Sequence, residues 1–124
     1  MITISVYIDV PDLIEAEAFY TEALGCKKLR DQGATTVVLS VENSDIYLLE
    51  KKPGSEALKA SSAARDYARH WTPVHLDFIC DNVDELASRV VKLGGSHEGG
   101  ESGDCGSIAY CADPFRNGFC LINE

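Results

Sequence analysis

The sequence predicts an α+β fold made of two βαβββ modules. Three observations support this prediction: a strand with alternating apolar and polar residues, an amphipathic helix directly after it, and a second copy of both further along the chain. The first copy covers residues 2–25 and the second covers residues 74–95. Ser5 and His75 occupy matching places, so the offset is 75 − 5 = 70 residues. We interpret the chain as one structural unit that occurs twice.

Residues 2–10, with the sequence ITISVYIDV, alternate between apolar and polar side chains. A period of two is typical of a strand with one buried face. The apolar face consists of Ile2, Ile4, Val6 and Ile8. The polar face includes Ser5, Tyr7 and Asp9, and these side chains face either water or a ligand cavity. The alternation is the same in both cases.

Each predicted helix has its own start and stop signals. Asp12 and Asn82 are N-caps, and a glutamate three residues after each of them completes a capping box. Apolar residues then recur at helical spacing, which gives each helix one buried face. Glycine follows both helices and ends them. These signals place the helices over residues 12–24 and 83–93.

Strand-forming segments follow each helix and complete the βαβββ order. We predict strands over residues 34–41 and 44–52 in the first module, and over residues 107–113 and 118–123 in the second. A further short strand follows each helix, around residues 27–31 and 96–98. The predicted single domain therefore consists of module one (1–52), a connector (53–73) and module two (74–124).

Composition predicts the character of two further segments. Residues 53–73 are rich in alanine, and Arg65 and Arg69 stand four residues apart, which favours a helical connector that ends near Trp71. Trp71 and Tyr67 either pack within the connector, which we favour, or pack on a partner subunit or line a pocket. Residues 96–107, SHEGGESGDCGS, are polar and rich in glycine, which favours a mobile loop of the kind that covers binding sites.

Composition and charge exclude several classes of function. A chain of 124 residues is most simply one domain. It has no apolar run of membrane-spanning length and no apolar signal core after Met1, so we expect a cytoplasmic location. Its five cysteines have no CxxC spacing, which favours reduced, buried thiols over disulfides or a zinc finger. The net charge of −9 argues against nucleic-acid binding and is compatible with a cationic ligand.

Three segments, PDLIEAEAFYTEALG, VHLDFICDNVDELASRVVKLGG and DPFRNGFCLIN, carry a resemblance to a known family. The chain resembles the vicinal oxygen chelate superfamily, which includes glyoxalase I, bleomycin-resistance proteins and extradiol dioxygenases, over nearly its whole length. The resemblance implies that each module curls its sheet into a half-open cup and that the paired cups form a partly open mixed sheet around one cavity. It also implies that the polar face of residues 2–10 lines this cavity, while the apolar face packs on helix 12–24.

The resemblance also implies where a metal would bind. Metal-using members place a histidine, glutamate or glutamine on the first and last strands of each module. The corresponding positions here are Ser5, His75, Cys120 and either Leu48 or Glu50. Only His75 matches this pattern clearly, so we expect no cofactor. One divalent transition metal bound by His75, Glu50 and Cys120 is the alternative, because imidazole, carboxylate and thiolate groups all bind Zn²⁺.

Three functions are consistent with these observations. We predict a metal-independent small-molecule-binding protein of the glyoxalase and bleomycin-resistance type, which sequesters a toxic or cationic ligand. One alternative is a metal-dependent lyase, isomerase or dioxygenase that uses His75 and Glu50, and the other is a dimerising module with a closed cavity. The predicted ligand site consists of Ser5, Tyr7, Glu50, His75, Asp77 and Cys120.

Individual residues of this predicted site have distinct expected roles. Glu50 and Asp77 would attract a cation, and Tyr7 would add a cation–π contact. Cys120 is either a reactive thiol or an inert buried cysteine, and we favour the second because its neighbours have a strand-core pattern. Many members of the superfamily are dimers and open sheet edges need covering, so we also predict a homodimer.

Overall fold

The computed structural model of the chain describes residues 1–60, 62–104 and 106–123. Ser61, Cys105 and Glu124 lie outside the described residues. Ser61 belongs to the predicted connector, Cys105 to the predicted loop and Glu124 to the predicted module two. The elements are β1 (Val6–Val10), α1 (Leu13–Leu24), β2 (Lys27–Asp31), β3 (Thr36–Val41), β4 (Ser44–Glu50), β5 (Leu76–Ile79), α2 (Val83–Lys92), β6 (Ser96–Gly103), β7 (Gly106–Ala112) and β8 (Gly118–Asn123). The order confirms the two predicted βαβββ modules and the α+β class.

Each module forms its own four-stranded mixed sheet. The strand orders are β1-β4-β3-β2 and β5-β8-β7-β6, so the first and last strands of each module are neighbours. These neighbours run parallel, and the other pairs run antiparallel. The chain divides into two compact units, residues 1–67 and 68–124, each with one sheet and one helix.

The helices begin where the sequence predicts. The Asp12 carboxylate accepts a hydrogen bond from the Glu15 N–H at 3.0 Å, and the Asn82 side-chain oxygen accepts one from the Glu85 N–H at 3.0 Å. Such caps stabilise a helix by about 0.5–2 kcal/mol each. Gly25 ends α1 in the left-handed conformation, with φ 71°. Among the described residues, no helix is long and apolar enough to cross a membrane.

Each helix covers one face of its own sheet and forms a core with it. α1 packs against β2, β3 and β4, and α2 packs against β6, β7 and β8. Leu48 on β4 and Leu121 on β8 are both 0% exposed in these cores. Burial of a leucine side chain contributes roughly 1.5–3 kcal/mol. We call the opposite side of each sheet its helix-free face, and strand alternation places Tyr7 and Tyr47 on that face in the first unit.

The first strand is shorter than predicted. β1 begins at Val6, and Ile2 and Ile4 are 97% and 87% exposed instead of packing on α1. The reason lies in the partner strand: Val6 pairs with Ile46, and β4 begins only two residues earlier, at Ser44. Ile4 would therefore lie opposite the first residue of β4, and residues 2 and 3 would extend past it, so little of β4 is available to pair with this stretch. The prediction that these isoleucines pack on the first helix is wrong.

The connector is not helical in the part of residues 53–73 that the structure describes. It forms turns and an isolated bridge between Glu56 and Ala64. Hydrogen bonds from the Gly54 N–H to the Arg65 carbonyl (2.7 Å) and from the Arg65 N–H to the Ser55 carbonyl (2.8 Å) join its start to its middle. The helix predicted from the alanine-rich composition is therefore wrong. The pairings within the segment satisfy backbone groups that a helix would otherwise bond internally.

The segment predicted as a mobile loop is mostly a strand. β6 pairs with β7 from Ser96 opposite Ala112 to Gly103 opposite Gly106. All of its residues are exposed because β6 is an edge strand, and this exposure explains its polar composition. Gly100 is needed there, since a Cβ atom at this position would lie 2.4 Å from the Ile108 carbonyl oxygen. The short strand predicted at residues 96–98 is confirmed and extends further than expected.

Candidate functional site

Strand pairing shows which residues of the two units are equivalent. In the second unit, Asp77 on β5 lies opposite Cys120 on β8. In the first unit, Tyr7 on β1 lies opposite Tyr47 on β4. The offset is 77 − 7 = 70 residues for the first strands and 120 − 47 = 73 for the last strands. The equivalent positions are Ser5, Tyr7 and Tyr47 in the first unit and His75, Asp77 and Cys120 in the second.

The second unit brings together three side chains that can ligate or donate protons. His75 Nε2 lies 3.2 Å from Asp77 Oδ1. The Cys120 thiol is hydrogen-bonded to the same Asp77 side chain. The three donor atoms all lie within 4.8 Å of one another. The alternation of β5 and the pairing with β8 therefore produce the His75–Asp77–Cys120 cluster on the helix-free face of the second sheet.

Cys120 is the buried member of this cluster. It is 4% exposed, whereas His75 and Asp77 are exposed. Burial, together with the charge and the hydrogen bond of Asp77, raises the pKa of the Cys120 thiol to about 11. At neutral pH the thiol therefore keeps its proton and donates a hydrogen bond to the Asp77 carboxylate. These properties agree with an inert cysteine better than with a reactive thiolate.

An aromatic residue and an ion pair border the cluster. The Trp71 ring packs against the His75 ring, with centroids 4.7 Å apart and planes tilted by 44°. Arg69 donates from Nε to Glu98 Oε2 at 2.6 Å and from Nη2 to Glu98 Oε1 at 2.8 Å. These bonds lower the pKa of the Glu98 carboxyl. Trp71 is a predicted candidate for a pocket wall, whereas the sequence carries no signal for the role of Arg69, because its partner is 29 residues away.

The equivalent face of the first unit carries different chemistry. The Tyr7 and Tyr47 rings stack with centroids 4.6 Å apart and an angle of 16° between their planes. Arg65 Nε donates to Asp9 Oδ2 at 2.7 Å. Ser5 is exposed and precedes β1. Neither an imidazole nor a thiol occupies these positions, so the first unit does not reproduce the cluster.

Glu50 has a structural partner within the first unit. Its carboxylate Oε2 accepts a hydrogen bond from the Leu13 N–H at 2.9 Å, at the first residue of α1. On β4 it has the same parity as Ile46 and Leu48, which are buried under α1. Register pairs Leu48 with Ile8 and so makes Tyr47, rather than Leu48 or Glu50, the counterpart of Cys120. That all six predicted site residues border one pocket stays a prediction.

The comparisons with known proteins define the class of this protein. A family model described as the glyoxalase-like domain matches residues 5–122, so the chain belongs to this family. The family assignment confirms the predicted resemblance to the vicinal oxygen chelate superfamily. No curated protein matches the chain.

Three solved structures illustrate the similarity. A hypothetical protein, SA1046, from S. aureus has a TM-score of 0.79 and 20% identity, covering 100% of this chain and 95% of that one. The fosfomycin resistance protein FosX from Listeria monocytogenes has a TM-score of 0.75 and 18% identity, covering 100% and 95%. Lactoylglutathione lyase from Agrobacterium tumefaciens has a TM-score of 0.68 and 20% identity, covering 98% and 92%. At these identities the similarity shows the fold alone.

Proposed function

We propose that this chain is a metal-independent small-molecule-binding protein that takes an organic cation on the helix-free face of its second sheet. One observation carries the proposal: the partners of Asp77 are an imidazole and a protonated thiol. Two other carboxylates, Asp9 and Glu98, are each paired with an arginine. Among the residues that the structure describes, the ion-pair partner of Asp77 is the His75 imidazole, and no arginine pairs with its carboxylate.

The surroundings of Asp77 suit a cation with some apolar surface. The Trp71 side chain packs on His75 and is 57% exposed, so its ring is accessible to a ligand beside the carboxylate. A cation over an exposed aromatic ring gains about 0.5–1 kcal/mol. The net charge of −9 also attracts cations toward the protein. Sequestration of such a ligand is the use that these features support.

The test is titration of chelator-treated protein with benzyltrimethylammonium, followed by the chemical shifts of the Trp71 and His75 ring protons. We expect saturable binding without metal. Asp77→Asn removes the carboxylate charge and should weaken binding roughly 5- to 150-fold, the equivalent of about 1–3 kcal/mol for a charge-assisted contact. Asp104→Asn removes an equal charge at an exposed position outside the cluster and should change affinity less than twofold. Equal binding by the wild type and Asp77→Asn would contradict the proposal.

The role expected for Glu50 is changed by its hydrogen bond to Leu13. Its carboxylate contributes to the start of α1, where a negative charge also interacts favourably with the helix dipole. We therefore assign the attraction of the cation to Asp77 rather than to both acids. Glu50→Gln should leave the affinity for the probe within about twofold and lower the stability of the first unit by roughly 0.3–1 kcal/mol. A loss of affinity as large as that of Asp77→Asn would restore Glu50 to the site.

A metal-dependent enzyme is the second candidate, and the donor atoms of the cluster favour it. His75, Asp77 and Cys120 supply the three ligand types of mixed zinc sites, with donors within 4.8 Å of one another. Ligands of a tetrahedral zinc ion lie roughly 3–4 Å apart, so small side-chain adjustments would suffice. The residues present therefore fit a metal, with Asp77 in the place expected for Glu50. When bound, a divalent metal would polarise a substrate oxygen as a Lewis acid.

Elemental analysis of purified protein decides between the two candidates. The first predicts well below one transition metal per chain and unchanged probe binding after chelation. The second predicts about one metal per chain, lost in His75→Ala, and an affinity that rises with pH because the Cys120 thiol must lose its proton. The third candidate, a dimerising module, predicts a dimer that binds neither probe nor metal. The homodimer and the cytoplasmic location stay predictions, and light scattering at micromolar concentration checks the first of them.

A further inference from the structure

We propose that Arg69 is a positioning residue for the ligand site, because its ion pair with Glu98 fixes residues 69–75 on the second sheet and holds Trp71 against His75. This inference rests on the proposed function, since Trp71 is a wall of the proposed cation site. Arg69 itself is not assigned any contact with the ligand. It acts through the segment that it anchors.

All three nitrogen atoms of the Arg69 guanidinium donate hydrogen bonds that anchor this segment. Nε and Nη2 donate to the two oxygens of Glu98, which belongs to β6. Nη1 donates to the carbonyl oxygen of His70, in the backbone of the segment itself. One guanidinium thus connects the sheet edge with the chain that leads to Trp71. Lysine has a single ammonium group and cannot reproduce this fork.

Gly118 on β8 provides the space for the guanidinium. A Cβ atom at this position would lie 2.8 Å from Nη2, 3.0 Å from Nη1 and 3.1 Å from Cζ of Arg69. Gly118 stands two residues before Cys120 on the same strand, so a side chain there would point to the same face as the Cys120 side chain. Arg69 therefore lies on the helix-free face that also holds the cluster.

The backbone between Arg69 and His75 connects the anchor to the site. Trp71 follows Arg69 by two residues, and the Thr72 hydroxyl donates to the Val74 carbonyl at 2.6 Å. This turn brings the Trp71 ring onto the His75 ring, which lies directly before β5. Trp71 is mainly exposed, so the core of the second unit does not hold it in place. The ion pair on one side and the turn on the other set its position.

The single tryptophan of the chain provides a direct measurement. We compare steady-state anisotropy and acrylamide quenching of Trp71 in the wild type, Arg69→Gln and Arg69→Lys. Loss of the guanidinium fork should lower the anisotropy and raise the quenching constant at least twofold. Lysine should behave like glutamine if the fork matters, and like arginine if only the charge matters. Wild-type values in both folded variants would overturn the proposal.

Gly118→Ala tests the same anchor without touching either charged residue. The added methyl group should displace the guanidinium and loosen Trp71 as Arg69→Gln does. Gly103→Ala is the matched control, because a Cβ atom at that β6 glycine meets nothing within 4 Å. Circular dichroism verifies that each variant folds. If Arg69→Gln does not fold, Glu98→Gln serves as the milder variant that removes the same ion pair. Identical quenching in Gly118→Ala and Gly103→Ala would contradict the anchor.

Ligand binding separates this inference from the proposed function. If Arg69 positions the site, Arg69→Gln should weaken benzyltrimethylammonium binding three- to tenfold, in parallel with the loosening of Trp71. Loosening of Trp71 without any loss of affinity would refute the positioning role. If the wild type binds no probe, the proposed function fails, while the quenching experiment still supports or overturns the anchor.

Discussion

The first and second units share one sheet order, yet their equivalent positions carry different side chains. Tyr7 and Tyr47 stack across two strands in the first unit. Asp77 and Cys120 occupy the same two positions in the second and are joined by a hydrogen bond. The βαβββ scaffold thus determines which positions meet, whereas the residues at those positions determine the chemistry independently in each unit.

The same comparison applies to the arginines of the connector. Arg65 pairs with Asp9 of the first unit, and Arg69 pairs with Glu98 of the second. Both arginines neutralise a carboxylate of the unit to which they belong. In the described part of the second unit, Asp77 pairs with His75 instead of with an arginine. The Asp77 carboxylate lies beside His75, on whose ring the exposed Trp71 packs, so this charge adjoins an aromatic surface.

The largest effects should come from the cores, where the units are alike. Leu48 and Leu121 occupy equivalent positions, and both are 0% exposed. Leu48→Ala and Leu121→Ala should each lower the free energy of unfolding by roughly 2–5 kcal/mol, because each leaves a cavity under a helix. Urea unfolding followed by circular dichroism measures both. A loss below 1 kcal/mol in one variant alone would show that the two cores are not equivalent.

An intermediate effect should distinguish the two faces of the second sheet. The pKa values of Cys111 and Cys120 are both raised to about 11, mainly by burial. Asp77 contributes to the shift of Cys120 only, so Asp77→Asn should lower the pKa of that thiol and speed its alkylation by iodoacetamide severalfold at pH 8.5. Cys111 should react at its wild-type rate. Peptide mass spectrometry measures both sites, and equal acceleration of the two cysteines would point to general loosening instead.

The smallest effect concerns the Arg69–Glu98 ion pair. The folded-state pKa of Glu98 is lowered from its usual 4.5, chiefly by the hydrogen bonds from Arg69. The stability that the ionised Glu98 carboxylate contributes to the fold is therefore fully present above pH 4.5 and is lost as the pH falls through the lowered folded-state pKa. For a partly exposed pair we expect about 0.2–1 kcal/mol. Glu98→Gln should show this deficit at pH 7 and converge with the wild type near pH 2 in urea unfolding. A constant deficit across that range would assign the effect to packing.

Signals confined to a short stretch of sequence predicted much of this fold. The caps at Asp12 and Asn82 are local, and the structure confirms both helices within a residue of the predicted ends. The start of β1 and the part of β6 after residue 98 depend on partners elsewhere in the chain, and these were mispredicted. The helix predicted for the connector was wrong for the same reason, because the backbone hydrogen bonds that join Gly54 and Ser55 to Arg65 connect residues that are ten or more positions apart.

The candidate site was predictable to a similar extent. Strand alternation correctly placed His75 and Asp77 on one side, and the family resemblance drew attention to Cys120. Neither the partner of Glu50 nor that of Arg69 could be read from the sequence, since each bond spans about thirty residues or more. The counterpart of Cys120 in the first unit was displaced by one position because the turns before the last strands differ in length.

That difference in turn length has an evolutionary consequence. Two residues separate β3 from β4, whereas residues 113–117 separate β7 from β8. The buried Asp113 holds the longer turn together, accepting hydrogen bonds from the backbone N–H groups of Phe115 and Asn117. Because the turn sets the register of β8, a change of two residues would bring a different side chain opposite Asp77 on the same face. A duplicated unit can thus acquire a new site through an insertion or deletion, without any substitution inside its strands.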